Sequence, residues 1–121
     1  MIAPAALEGL WVPLKAEMAG EAAPAMVLER TELTFRAGRY TVRFGGEVSD
    51  AGSYTSVDSP GHPGLLLVGA TGPNAGRKIP CIYQLAGDRL RICYGFDANL
   101  PEAFSTQAGT PHYLVTYRRK P

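Results

Sequence analysis

The 121-residue chain is 45% hydrophobic and 19% charged, enough for one packed domain over residues 1–121 and too short for two ordinary ones. A formal net charge of +1 supplies no global field to draw the protein onto nucleic acid or anionic lipid, so neither is expected as a partner. No apolar run approaches the ~20 residues needed to cross a bilayer, and the start MIAPAALEGLW lacks a basic leader; the chain reads as cytoplasmic as written, and as secreted or periplasmic if a leader has been removed.

Along the chain the dominant period is two. LWVPLKAEM opens as a strand in which Leu10, Val12, Leu14, Ala16 and Met18 share one face. That alternation leaves Trp11 on the opposite face, so either Pro13 marks a bulge or Trp11 caps the strand's end. PAMVLER is the best helical candidate, at one or two turns. In ELTFRAGRYTVRFGG, Leu33 and Phe35 precede an Ala37-Gly38 break, and Tyr40, Val42 and Phe44 then alternate with Thr41 and Arg43: a tight hairpin. EVSDAGSYTSV reads as a polar strand bulged around Gly52, and GLLLVGAT as an apolar one before the turn-rich GPNAGRK. IPCIYQL, RLRICYG and HYLVTYRR complete about eight strands, the number at which a small barrel closes. Their short connections require antiparallel pairing. The expected fold is therefore all-β, a small antiparallel up-and-down β-barrel.

The two cysteines fall within CIYQLAGDRLRICYG. With Gly87-Asp88 as a two-residue turn, Leu85 faces Leu90, Tyr83 faces Ile92 and Ile82 faces Cys93. Cys81 then points inward and Cys93 outward, which disfavours a disulfide because side chains on opposite faces do not bring their Cβ atoms to bonding distance. His62 and His112 lie in a loop-like segment and at the start of the last strand, with no tandem ligand spacing, so no metal site and no cofactor are expected. Glu17, Asp50, Asp58, Asp88, Asp97 and Glu102 are dispersed and mostly fall in turns, where carboxylates serve backbone hydrogen bonding. No catalytic residue is assigned and no enzyme is expected. Glu17 is singled out among them as the candidate to face the barrel mouth.

LEGLWVPLKAEMAGE, LTFRAGRYTVRFGG, DAGSYTSVD, IYQLAGDRLRICYG, PEAF and the terminal YRRK together resemble the lipocalin-like domain family abundant in planctomycetes and found in other bacteria. The resemblance covers nearly the whole chain. Two positions depart from the family pattern: Cys81 stands where the family has glycine, and Leu100 where it has arginine. Gly9-Leu10-Trp11 is similar to the calycin opening, and the resemblance implies that Trp11 closes one end of the barrel with Arg119, from the last strand, packed across it. A guanidinium over an indole gains cation–π attraction while its donors satisfy rim carbonyls.

Fold is implied here far more than function. Phe35, Tyr40, Phe44, Tyr83, Tyr94, Tyr113 and Tyr117 are the expected interior lining, suited to a small apolar or aromatic ligand because a phenol offers both a ring and a polar tip. The same aromatics equally suit a side-chain-filled barrel. In that alternative the protein acts through its outer surface on a protein partner, with Arg39 and Arg43, and Arg89 and Arg91, as basic rows.

Overall fold

Period-two patterning becomes a meander of nine antiparallel strands in the computed structural model, which describes residues 4–121. In chain order these are β1 (Gly9–Met18), β2 (Glu21–Ala22), β3 (Thr31–Arg36), β4 (Arg39–Phe44), β5 (Glu47–Val57), β6 (Gly64–Thr71), β7 (Lys78–Ala86), β8 (Arg89–Gly95) and β9 (His112–Lys120). Strands β3 to β9 pair in sequence, and β1 pairs with both β3 and β9. The result is a closed eight-stranded up-and-down barrel, with the two-residue β2 folded back on the end of β1. Closure removes the sheet edges that an open meander would expose.

β1 joins β3 only over Gly9–Trp11, while its far end pairs with β2. The one α-helix among the described residues, α1 (Ala25–Arg30), occupies the side on which β1 and β3 separate, with Leu28 packed against the core. Pro24 stands at its N-cap, where a missing N–H costs nothing. Thr31 Oγ1 donates to Val27 O at 2.7 Å and ties the helix end to β3.

The first strand resolves the two readings of Trp11. Register against β9 slips between Pro13 and Lys15, leaving Leu14 as the extra residue of a β-bulge. Before the bulge the odd positions face inward: Trp11 is fully buried and Pro13 meets the interior. After it the even positions do, and Ala16 is buried. Leu14 therefore lies 44% exposed despite its place in the apolar alternation. The same slip turns Glu17 outward, so the expectation that it faces the barrel mouth is corrected; its Oε1 accepts from Thr106 Oγ1 at 2.9 Å.

The hairpin carrying the cysteines has the expected register, Leu85 opposite Leu90, Tyr83 opposite Ile92 and Ile82 opposite Cys93. Both thiols are free. Cys81 belongs to the central core, whereas Cys93 lies on the outer face beneath residues 96–111, its Sγ 3.9 Å from Ser105 O. That connection forms a second, outer layer: Phe104 receives the Arg91 guanidinium at 4.2 Å and the His62 ring at 4.7 Å. Arg91 also donates to Gln84 Oε1, so one member of the expected basic row is engaged within the fold.

Candidate functional site

The strands run between two unlike ends. At one, a 3₁₀ turn over Ala5–Leu7 plugs the barrel, and Trp11 Nε1 donates to Leu7 O at 2.9 Å. Arg119 lies across the indole with its guanidinium carbon 4.2 Å from the ring centroid. Its Nη1 donates to Glu8 O at 2.6 Å and its Nη2 to Ala6 O at 3.1 Å. Gly9 is required beneath this arrangement: its φ is +136°, and a Cβ there would stand 2.8 Å from Arg119 Nη1. The Gly-x-Trp opening thus has a local physical reason, a backbone that lets the arginine fold down onto the ring. Above this plug the lower half of the barrel is solid, with Leu7, Trp11, Phe35, Tyr54, Leu65 and Leu90 fully or almost fully buried.

The other half is hollow. A cavity of about 410 Å³ opens to solvent at the end where β3 begins and β4 ends, with Leu33, Val42, Leu67, Ile79 and Val115 supplying its aliphatic wall. Of the seven aromatics expected to line the interior, five reach it: Tyr40, Phe44, Tyr94, Tyr113 and Tyr117. Phe44 stands at the mouth, 43% exposed. Phe35 and Tyr83 do not line it. Both sit toward the plugged end of their strands, Phe35 tilted against Tyr54 with ring centroids 4.5 Å apart and Tyr83 half-buried against the core. Alternation assigned them a face but carried no information on their depth along the barrel axis.

One side of the wall is a cluster of aromatic rings. Tyr94 and Phe96 lie nearly parallel at 5.8 Å, and Tyr113 stacks on them at 5.8 and 6.2 Å. The Tyr94 and Tyr117 hydroxyls share a hydrogen bond of 2.6 Å, which satisfies two phenols in an apolar wall. Burial pushes both hydroxyls well above the ordinary tyrosine range.

Tyr40 comes from β4, and its ring crosses β5 at Gly52. A Cβ on Gly52 would sit 2.1 Å from Val68 O and 2.8 Å from Tyr40 Cε1, so only glycine admits both the sheet and the ring. β5 is irregular around this point, with register slips at Val42/Arg43 against β4 and at Ala51/Gly52 against β6. Asp50 pairs with Val42, as Gly52 does with Tyr40, and so takes the inward face. Its Oδ2 accepts from Asn74 Nδ2 at 2.8 Å. Asn74 belongs to residues 72–77, which fold back over the mouth so that Pro73 and Asn74 line the cavity. Asn74 Oδ1 in turn accepts from Arg77 Nη1 at 3.0 Å, and Arg77 Nη2 donates to Phe96 O. A polar chain thus spans the rim from β5 to the β8–β9 connection.

Two polar atoms on this wall, Tyr40 Oη and Asp50 Oδ1, are buried without a hydrogen-bond partner among the described residues. Burial, with the Asp50 carboxylate as the second cause, raises the Tyr40 hydroxyl to about 12. Asp50 was read from the sequence only as one of several dispersed acids. The signal that finds it is the spacing Asp50, Gly52, Tyr54, three consecutive same-face positions of one strand. Among the described residues no three of His, Cys, Asp and Glu converge as metal ligands, and no helix is long and apolar enough to cross a membrane.

Comparison with protein-family models, with curated proteins and with solved structures returns no match.

Proposed function

We propose that this protein is a non-catalytic binding barrel of the lipocalin-like kind, which holds one small, largely apolar or aromatic molecule in the hollow half of its interior. The observation that carries this reading is the contrast between the two halves. Eight strands of this length can be filled completely by side chains, and the plugged half is filled; the other keeps about 410 Å³ open, within the range of small-molecule sites. Its apolar wall with a few polar groups is the composition expected where burial supplies affinity and hydrogen bonds fix orientation. Kinship with the planctomycete lipocalin-like family is part of the same proposal, supported by Gly9, Trp11 and Arg119 in their mutual arrangement.

The test is a titration with N-phenyl-1-naphthylamine, a neutral probe whose fluorescence rises in apolar surroundings. Saturable enhancement at one site per chain is expected. Val42→Trp, which projects an indole into the cavity, is expected to weaken it by tenfold or more, since the added ring competes with the probe for the apolar wall. Absence of saturable binding, or binding indifferent to Val42→Trp, overturns the reading.

A further inference from the structure

A carboxylate on the inward face of a barrel strand is a costly residue to keep, because an ion facing low-dielectric walls loses hydration. Asp50 has this position. Asn74 accounts for one of its oxygens by anchoring the folded-back loop, and the other oxygen has no partner among the described residues. Among those residues no Lys, Arg or His side chain lines the cavity. The nearest basic group in the rim network, Arg77, is held off by Asn74 and by Phe96 O. The remaining polar groups of the wall include phenols, and around them stand the aromatic rings of Tyr94, Phe96 and Tyr113. Ring faces carry negative electrostatic potential and attract cations, most strongly where water is excluded. An apolar chamber with one carboxylate, several aromatic rings and no lining cation among the described residues is complementary to positive charge.

Resting on the binding-barrel reading above, we infer that the occupant is an organic cation: an apolar or aromatic molecule bearing a protonated amine, its ammonium directed to Asp50 and its hydrocarbon part among the aromatic rings. Asp50 Oδ1 is the acceptor without a partner among the described residues; with Tyr40 Oη, the neutral hydroxyl beside it, it is closed to solvent, so the ammonium meets it through a turn of the Asp50 side chain toward the cavity. Charge-assisted hydrogen bonding to a partly desolvated carboxylate supplies the discrimination. Anions are excluded by the same carboxylate.

Three ligands of one shape separate the outcomes: 1-naphthylmethylamine, 1-naphthylmethanol and 1-naphthoate, each displacing N-phenyl-1-naphthylamine at neutral pH. The amine is expected to bind about tenfold or more tighter than the alcohol, with the carboxylate weakest. In Asp50→Asn, which preserves shape and an acceptor for Asn74, the amine-to-alcohol ratio is expected to fall to about threefold or less. An alcohol that binds as well as the amine, a preference for naphthoate, or an amine preference that survives Asp50→Asn overturns the charge assignment while leaving the cavity a binding site. Failure of all three ligands and of the neutral probe overturns the binding reading itself. The ranking is measured on the unaltered protein, so a folding defect in the variant does not shelter the inference.

Discussion

Removal of the Arg119 side chain probes how the barrel is stoppered. Arg119→Ala deletes two donors to backbone carbonyls, Glu8 O at 2.6 Å and Ala6 O at 3.1 Å, together with the cation over Trp11 at 4.2 Å. Both carbonyls lie near the surface and regain water, so each bond is taken at about 1 kcal/mol, the ordinary net value and below that of buried charged donors. The partly exposed cation–π contact adds about 0.5–1 kcal/mol. The ion pair with Asp88, at 3.7 Å and with that carboxylate 76% exposed, adds little. The expected loss is about 2–3 kcal/mol, and at roughly 3–5 °C per kcal/mol for a chain of this size the melting temperature falls by about 6–15 °C. Arg119→Lys keeps the charge but not the planar fork, and about half of the loss is expected. Calorimetry gives the melting temperature, while fluorescence of Trp11, the single tryptophan, reports the ring's environment through a shift to longer wavelength. A melting temperature within about 2 °C of the wild type, with unchanged emission, would refute the role assigned to the arginine.

Gly52→Ala places a methyl 2.1 Å from Val68 O, and backbone cannot yield cheaply; a loss of about 1–3 kcal/mol or more is expected in urea unfolding, with weaker probe binding as Tyr40 is displaced. An unchanged midpoint would contradict this. All six tyrosines have hydroxyls raised above their ordinary value of 10.0, Tyr40 to about 12, chiefly by burial. The unfolded chain ionises first, so their contribution to stability is complete below pH 10 and is lost as pH rises from there through the folded-state values. Phenolate absorbance is therefore expected to rise late, together with alkaline unfolding, and a normal tyrosine titration in the folded protein would count against the buried assignments. Both thiols are raised by burial, Cys93 to about 11 and Cys81 well above 9.0, so neither is expected to react with an aromatic disulfide reagent until the protein unfolds. Rapid modification of Cys93 in the native state would show that residues 96–111 do not cover it.

Side-chain alternation was enough to read the barrel, its meander and the register of the cysteine hairpin, because each depends on local period and turn length. Gly52 marked the irregularity of β5, but alternation was not enough at the bulge of the first strand. Around Leu14 one extra residue exchanges inside for outside, which buried Trp11 and sent Glu17 to Thr106. Phe35 and Tyr83 had the correct parity for an interior, yet closure of a barrel also fixes height, a quantity set by strand stagger rather than by period. Asp50 was hidden because a polar strand shows no apolar face to count from, so its same-face spacing with Gly52 and Tyr54 carried no inward direction until the pairing with β4 supplied one, and Asn74 because its loop returns over the mouth instead of leading away. Phe96 joins the wall for a similar reason, just beyond the last residue of β8.

Whether the hollow half is the working part is decided by locating a bound molecule directly. Intermolecular nuclear Overhauser effects between 1-naphthylmethylamine and the methyl groups of the protein give that location. The expected contacts are with Val42, Leu67, Ile79 and Val115 around the cavity, with no signal from Leu7 or Leu90 at the plugged end. Contacts confined to the outer layer over residues 96–111, or no contact with any interior methyl, would contradict the account.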